Sequence, residues 1–103
     1  MRYQIWYMRP TWFAEGIMGK LPDAGNLHAT HLHLTNIDAN GLDAGYAAMQ
    51  AEHWSPNGEA RPLIEILGLE HTSMCVGDVL IDDVGNVHTV ANTGFKAIGG
   101  FRP

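Results

Sequence analysis

The sequence predicts an α+β domain. It should hold a small antiparallel or mixed sheet of four or five strands, with room to curl, one main helix over about residues 42–54, and one or two short helices. Three observations lead there. Several short segments alternate with a period of two and are rich in aromatic and β-branched residues. One longer segment instead places Leu42, Tyr46, Met49 and His53 at helical spacing. Clusters of Gly, Pro, Asn and Asp punctuate the intervals between them. At 103 residues the chain is one domain. A domain of about 100 residues buries roughly two thirds of its unfolded surface and folds without staples.

Taken in order, Tyr3, Ile5 and Tyr7 alternate with Gln4, Trp6 and Met8, and both faces are apolar, as in an interior strand. Pro10 ends that strand, because proline donates no ladder hydrogen bond. Thr11 to Met18 reads as a short helix capped by Thr11, with Trp12, Phe13 and Ile17 as its apolar mass. Lys20 to Asn26 reads as a loop. Ala29 to Ile37 is a half-buried strand, with Thr30, Leu32 and Leu34 on one face and His31, His33 and Thr35 on the other. The main helix follows, with Gly45 letting it lie close to the sheet and Ser55-Pro56-Asn57-Gly58 stopping it. Leu63 to Leu67 fits one or two helical turns or a buried run equally well. Val79 to Ile81 and Val87 to Ala91 form a hairpin across Asp82–Asn86, with Gly85 and Asn86 tolerating positive φ. Phe95 to Ile98 adds a last strand, and Gly99-Gly100 leads into a loose tail.

Composition narrows the function classes. Six basic residues against 11 acidic ones give a net charge of −5, which argues against binding a phosphate backbone. Cys75 is the only cysteine, so no intrachain disulfide forms. There is no apolar run of about 20 residues and no signal-peptide pattern. The expectation is a cytoplasmic protein with no membrane association.

The densest local signal is His71-Thr72-Ser73-Met74-Cys75-Val76-Gly77-Asp78-Val79. With Leu80, an acidic turn, Val87 to Val90 and Thr93-Gly94-Phe95-Lys96, it resembles the YodL-like family of small domains from conjugative elements, plasmids and phages. The resemblance covers roughly Ala29 to Ile98. Cys75 stands where that family usually has serine, and the stretch from Arg2 to Leu27 has no clear counterpart there. The resemblance implies an α+β domain of a mobile genetic element and no particular reaction.

Several constellations are candidates for chemistry. His31 and His33, two apart on a strand, lie about 6.5–7 Å apart at their Cα atoms and are candidate zinc ligands with His28 or Asp38. Ser73, Cys75, His71, His88 and Asp78 contain the letters of a nucleophile, base and orienter. Each also has a structural job: Ser73 and His71 at a turn, Cys75 in packing, and Asp78 accepting turn amides at a strand start. No catalytic residue is therefore assigned. Trp6, Trp12 and Trp54 would anchor a partner if one of them is exposed, and otherwise serve the core. With no phosphate loop or dinucleotide motif, no cofactor is predicted.

The sequence thus predicts a non-enzymatic accessory protein of a mobile element that binds another protein, with anti-defence activity as one version and a homodimer left open. Trp6, Trp12, Trp54, His71, Ser73 and Asp78 are its candidate binding residues. The alternative is a small-molecule or metal module built on the histidines, which requires His31 and His33 to converge with His71 or His88.

Overall fold

The computed structural model describes residues 1–51, 54, 58 and 60–102. Among the described residues, five strands and three α-helices run in the order β1 (Arg2–Met8), α1 (Pro10–Ile17), a 3-10 helix (Ala24–Ala29), β2 (His31–Asp38), α2 (Leu42–Ala48), α3 (Ala60–Ile66), β3 (Val79–Ile81), β4 (Asn86–Val90) and β5 (Phe95–Gly100). The strands make one open sheet of order β2-β1-β3-β4-β5 in which every pairing is antiparallel. The α+β class and the strand count follow the sequence reading.

Both faces of the sheet are covered, which explains the doubly apolar β1. Tyr3, Ile5 and Tyr7 join Leu80 and Val90 beneath Met49 and Ile64 from the α2–α3 side. On the opposite face Trp6 packs with Val79, Ile81 and Val87 beneath Leu27 of the 3-10 helix, sealed by Ile98 and Phe101. Gly45 permits the close approach of α2, since a Cβ there would stand 2.9 Å from Leu80 Cδ2.

The main helix is shorter than its periodicity predicts. It ends at Ala48 because tertiary bonds take over its last backbone groups. The Met49 carbonyl accepts from Met74 N–H, and Ala51 N–H donates to Ser73 Oγ. Ala51 itself turns to φ 50°. The expected continuation over residues 52–53, and most of the stop signal at 55–57, lie outside the described residues. Residues 63–66 resolve as helix, within α3, and Leu67 begins the turn that follows.

Four smaller expectations also give way. Thr11 does not cap α1: Arg9 holds the N-cap position and Pro10 the first turn, where proline's missing N–H is not needed. Part of the expected 20–26 loop is the 3-10 helix, begun by Asp23 accepting from Gly25 N–H at 2.8 Å. In the β3–β4 turn Gly85 takes positive φ and Asn86 does not. The tail that Gly99-Gly100 leads into is not loose at Phe101, whose N–H donates to the Gly85 carbonyl, and the two glycines extend β5, with Gly99 at φ 122° accommodating the irregular register there.

A second irregularity alters β2. Thr35 pairs with Ile5 and His33 with Trp6, leaving Leu34 without a partner opposite. The simple alternation of faces therefore fails at Leu34, and His31 is fully buried rather than on a solvent face.

Candidate functional site

The 71–78 loop is built around one carboxylate. Gly77 reverses the chain at φ 97° and abuts Gly16 of α1, with the Met8 sulfur lodged against both. A Cβ on either glycine would run into that sulfur. This contact seats Asp78 at the end of β1, just beyond the last β1–β3 ladder pair, Trp6 with Val79.

Asp78 is fully buried, and both of its oxygens are taken. Oδ1 accepts from Met8 N–H at 2.8 Å. Oδ2 accepts from Cys75 N–H at 2.9 Å, from His71 Nε2 at 2.8 Å, and from the Cys75 thiol at 3.5 Å. His71 lies flat on Tyr7, with ring centroids 4.6 Å apart, and meets Phe13 edge-on. The Thr72 carbonyl accepts from both Tyr7 Oη at 2.8 Å and Trp54 Nε1 at 3.2 Å. Ser73 Oγ completes the loop by accepting Ala51 N–H at 3.0 Å.

The electrostatics of this cluster oppose nucleophilic catalysis. Burial, then the Asp78 charge and the hydrogen bond to it, pushes the Cys75 thiol up to about 12. A thiol held protonated at neutral pH is a poor nucleophile. Burial and then Asp78 also raise the Tyr7 phenol above its ordinary value. His71 hands its Nε2 proton toward Asp78 rather than toward the sulfur, so the ring is not placed as a base for Cys75.

The ligating atoms of His71, Cys75 and Asp78 all lie within 4.8 Å of one another. In ligand chemistry this is a plausible zinc set. The hydrogen bonding argues otherwise: Asp78 Oδ2 already receives the Cys75 backbone N–H, and the sulfur keeps its proton. The cluster is better matched to holding a loop than to holding a metal.

The other candidates are scattered. His31 is buried with Nε2 2.7 Å from the Gly77 carbonyl and Nδ1 2.6 Å from Thr30 Oγ1. A carbonyl only accepts, so Nε2 carries the proton and Nδ1 accepts from the hydroxyl, a fully satisfied neutral ring. Burial, which outweighs the Gly77 bond, holds its pKa below the ordinary value. His33 stacks on Trp6 and bonds Asn36 at 2.7 Å, and His88 bonds Asp82 at 2.9 Å. The four histidines of the metal or ligand reading thus have four different partners and do not converge.

None of the three tryptophans is exposed. Trp6 is buried with Nε1 donating to Gln4 Oε1, Trp54 is half-buried on Thr72, and Trp12 is half-buried under the Lys20 ammonium. Of the two uses the sequence left open for them, exposed anchor or packing, the burial favours packing. Of the six candidate binding residues, the fold brings Trp54, His71, Ser73 and Asp78 into one neighbourhood and leaves Trp6 and Trp12 outside it. Sequence reasoning missed Tyr7, Met8 and Phe13 as parts of the cluster. Nothing local signals them, since Met8 and Asp78 are 70 residues apart.

Among the described residues, no helix is long and apolar enough to cross a membrane. No family model, no curated protein and no solved structure matches the chain.

Proposed function

We propose that this is a non-enzymatic accessory domain of a mobile genetic element that works by binding another protein. One observation carries the binding part. At the C-terminal end of α1, Met18 is 84% exposed, and it is flanked by Ile17 and Leu21, both also exposed. A flexible thioether beside two branched apolar side chains is a surface that adapts to a protein partner. The protonated Cys75 thiol and the saturated Asp78 carboxylate support the non-enzymatic part. The mobile-element part rests on the resemblance of residues 72–96 to the YodL-like domains. A surface of net charge −5 favours a protein partner over nucleic acid.

The test is capture from a bacterial host lysate by the immobilised full chain, beside an Ile17→Ser, Met18→Asp double variant. We expect a protein that the native chain retains, the variant releases, and that rebinds when purified. A captured protein held equally by the variant, or none above background, would sink the reading. Should the partner belong to a host defence system, expression of the native chain and not the variant should raise the establishment of an incoming plasmid.

A further inference from the structure

Going beyond the partner-binding reading and independent of it, we propose that the cavity between the end of α1 and the β4–β5 hairpin binds the carboxylate of a small aliphatic acid. The cavity measures about 130 Å³ and is lined by Leu21, Val76 and Val90 together with Lys20, Thr89 and Lys96. Its polar and apolar groups are of the kinds that such a ligand requires.

The cations are the first argument. The chain has only two lysines, and in a protein of net charge −5 both of them line this one cavity. Neither forms an ion pair with a described residue. Lys20 is held over the Trp12 ring, with its Nζ 5.2 Å from the centroid, which restrains a side chain that would otherwise roam.

Thr89 is the second. It is only 3% exposed, and its Oγ1 has no hydrogen-bond partner among the described residues. Buried hydroxyls are normally paired, and leaving one unpaired is unfavourable until an acceptor arrives. Thr89 stands directly opposite Lys96 in the β4–β5 ladder, so the two side chains leave the sheet on the same face. Both residues also line the cavity.

Size and wall chemistry select the ligand. A cavity of about 150 Å³ accommodates a molecule such as benzene, so this one takes a carboxylate with a short branched tail. One carboxylate oxygen accepts from Thr89 Oγ1, the other faces the ammonium groups, and the tail lies against Leu21 and Val76. Phosphate would leave the apolar wall unused, and it is recognised by denser donor sets of arginine and backbone amides. The carboxylate can come from a free short-chain acid or from the terminus of a polypeptide ending in a small apolar residue.

Amide-detected NMR titration of the full chain separates these. The probes are isobutyrate, N-acetylvaline, isobutyramide and inorganic phosphate. Saturable shifts are expected for isobutyrate or N-acetylvaline, centred on residues 89–96. Tighter binding of N-acetylvaline assigns the site to a chain terminus, and tighter binding of isobutyrate assigns it to a free acid. Lys20→Met and Lys96→Met should each weaken binding about three- to fivefold, as for exposed charges. Thr89→Val should weaken it about tenfold or more without lowering Tm, since the lost hydroxyl has no partner in the free protein. Three results overturn the proposal: isobutyramide binding as well as the acid, phosphate competing at equal concentration, or no saturable shift with either acid. Leu21 belongs to both surfaces, but Ile17 and Met18 do not line the cavity, so the Ile17→Ser, Met18→Asp variant should leave these titrations unchanged and the two readings fail separately.

Discussion

The short strand β3 is bracketed by two aspartates, and their surroundings differ in one instructive way. Asp78 precedes the strand, and Asp82 follows it. Each carboxylate accepts two backbone N–H groups and one histidine Nε2: Met8, Cys75 and His71 at one end, Val84, Asn86 and His88 at the other. At Asp82 every partner lies within six residues, so the bracket is a turn closing on itself. At Asp78 one partner is 70 residues away, and the bracket ties β1 to the loop. The device is the same, but one copy stabilises a hairpin and the other joins distant parts of the fold. An Asp–His pair in an ordinary turn weakens any inference of catalysis from its twin.

The largest expected effect tests that difference directly. Asp78→Ala leaves two amides and a histidine without an acceptor in the interior, and should cost about 3–5 kcal/mol in urea unfolding. Asp82→Ala leaves its amides near solvent and should cost about 1–2 kcal/mol. Equal losses would mean that the distant bracket carries no more than the local one.

The thiol sharpens the contrast next. With Cys75 raised to about 12, its alkylation at pH 8 should run about a thousandfold slower than that of an ordinary exposed cysteine. Asp78→Asn should accelerate it, because the nearby negative charge is gone. A native rate matching free cysteine would refute the protonated-thiol reading.

The smallest effects are in pH dependence. His31 is held below its ordinary value of 6.5 by burial. Its stabilisation is fully present above that pH and is lost as pH falls through the lower folded value. Burial works to raise the Asp82 carboxyl, but the bonds from His88, Asn86 and Val84 prevail and hold it below 3.8. That contribution is present above pH 3.8 and lost on further acidification. Urea midpoints should therefore decline in two stages on acidification, and His31→Gln should flatten the first while leaving the second.

What the sequence made legible follows the same division between local and distant partners. The doubly apolar β1 and the 82–86 turn are written in adjacent residues, and both were read. Gly45 was also read as a point of close approach, because a glycine inside an apolar helical face has few other uses. The end of α2 was not read, because its terminating bonds go to Met74 and Ser73, which lie in a different segment. Gly99-Gly100 has the composition of a strand end, and pairing with β4 carries β5 through it. At the site, the structural role of Asp78 was legible in part. Its turn amide at Cys75 is three residues away, whereas Met8 and the stacking rings of Tyr7 and Phe13 carry no mark in the loop itself. His31 was misplaced because an unpaired Leu34 and a buried carbonyl at Gly77 are invisible to period-two reasoning.

The sheet order also bears on how the chain assembles during synthesis. β1 is made first yet lies between β2 and β3, and the strand that covers its second edge is made some 70 residues later in the chain. Until Val79–Ile81 leaves the ribosome, β1 can pair only with β2, and its free edge stays available to other chains. A truncation before residue 79 should therefore be more aggregation-prone than its composition suggests. Completion of the β3–β4 hairpin is the event that makes the nascent domain safe.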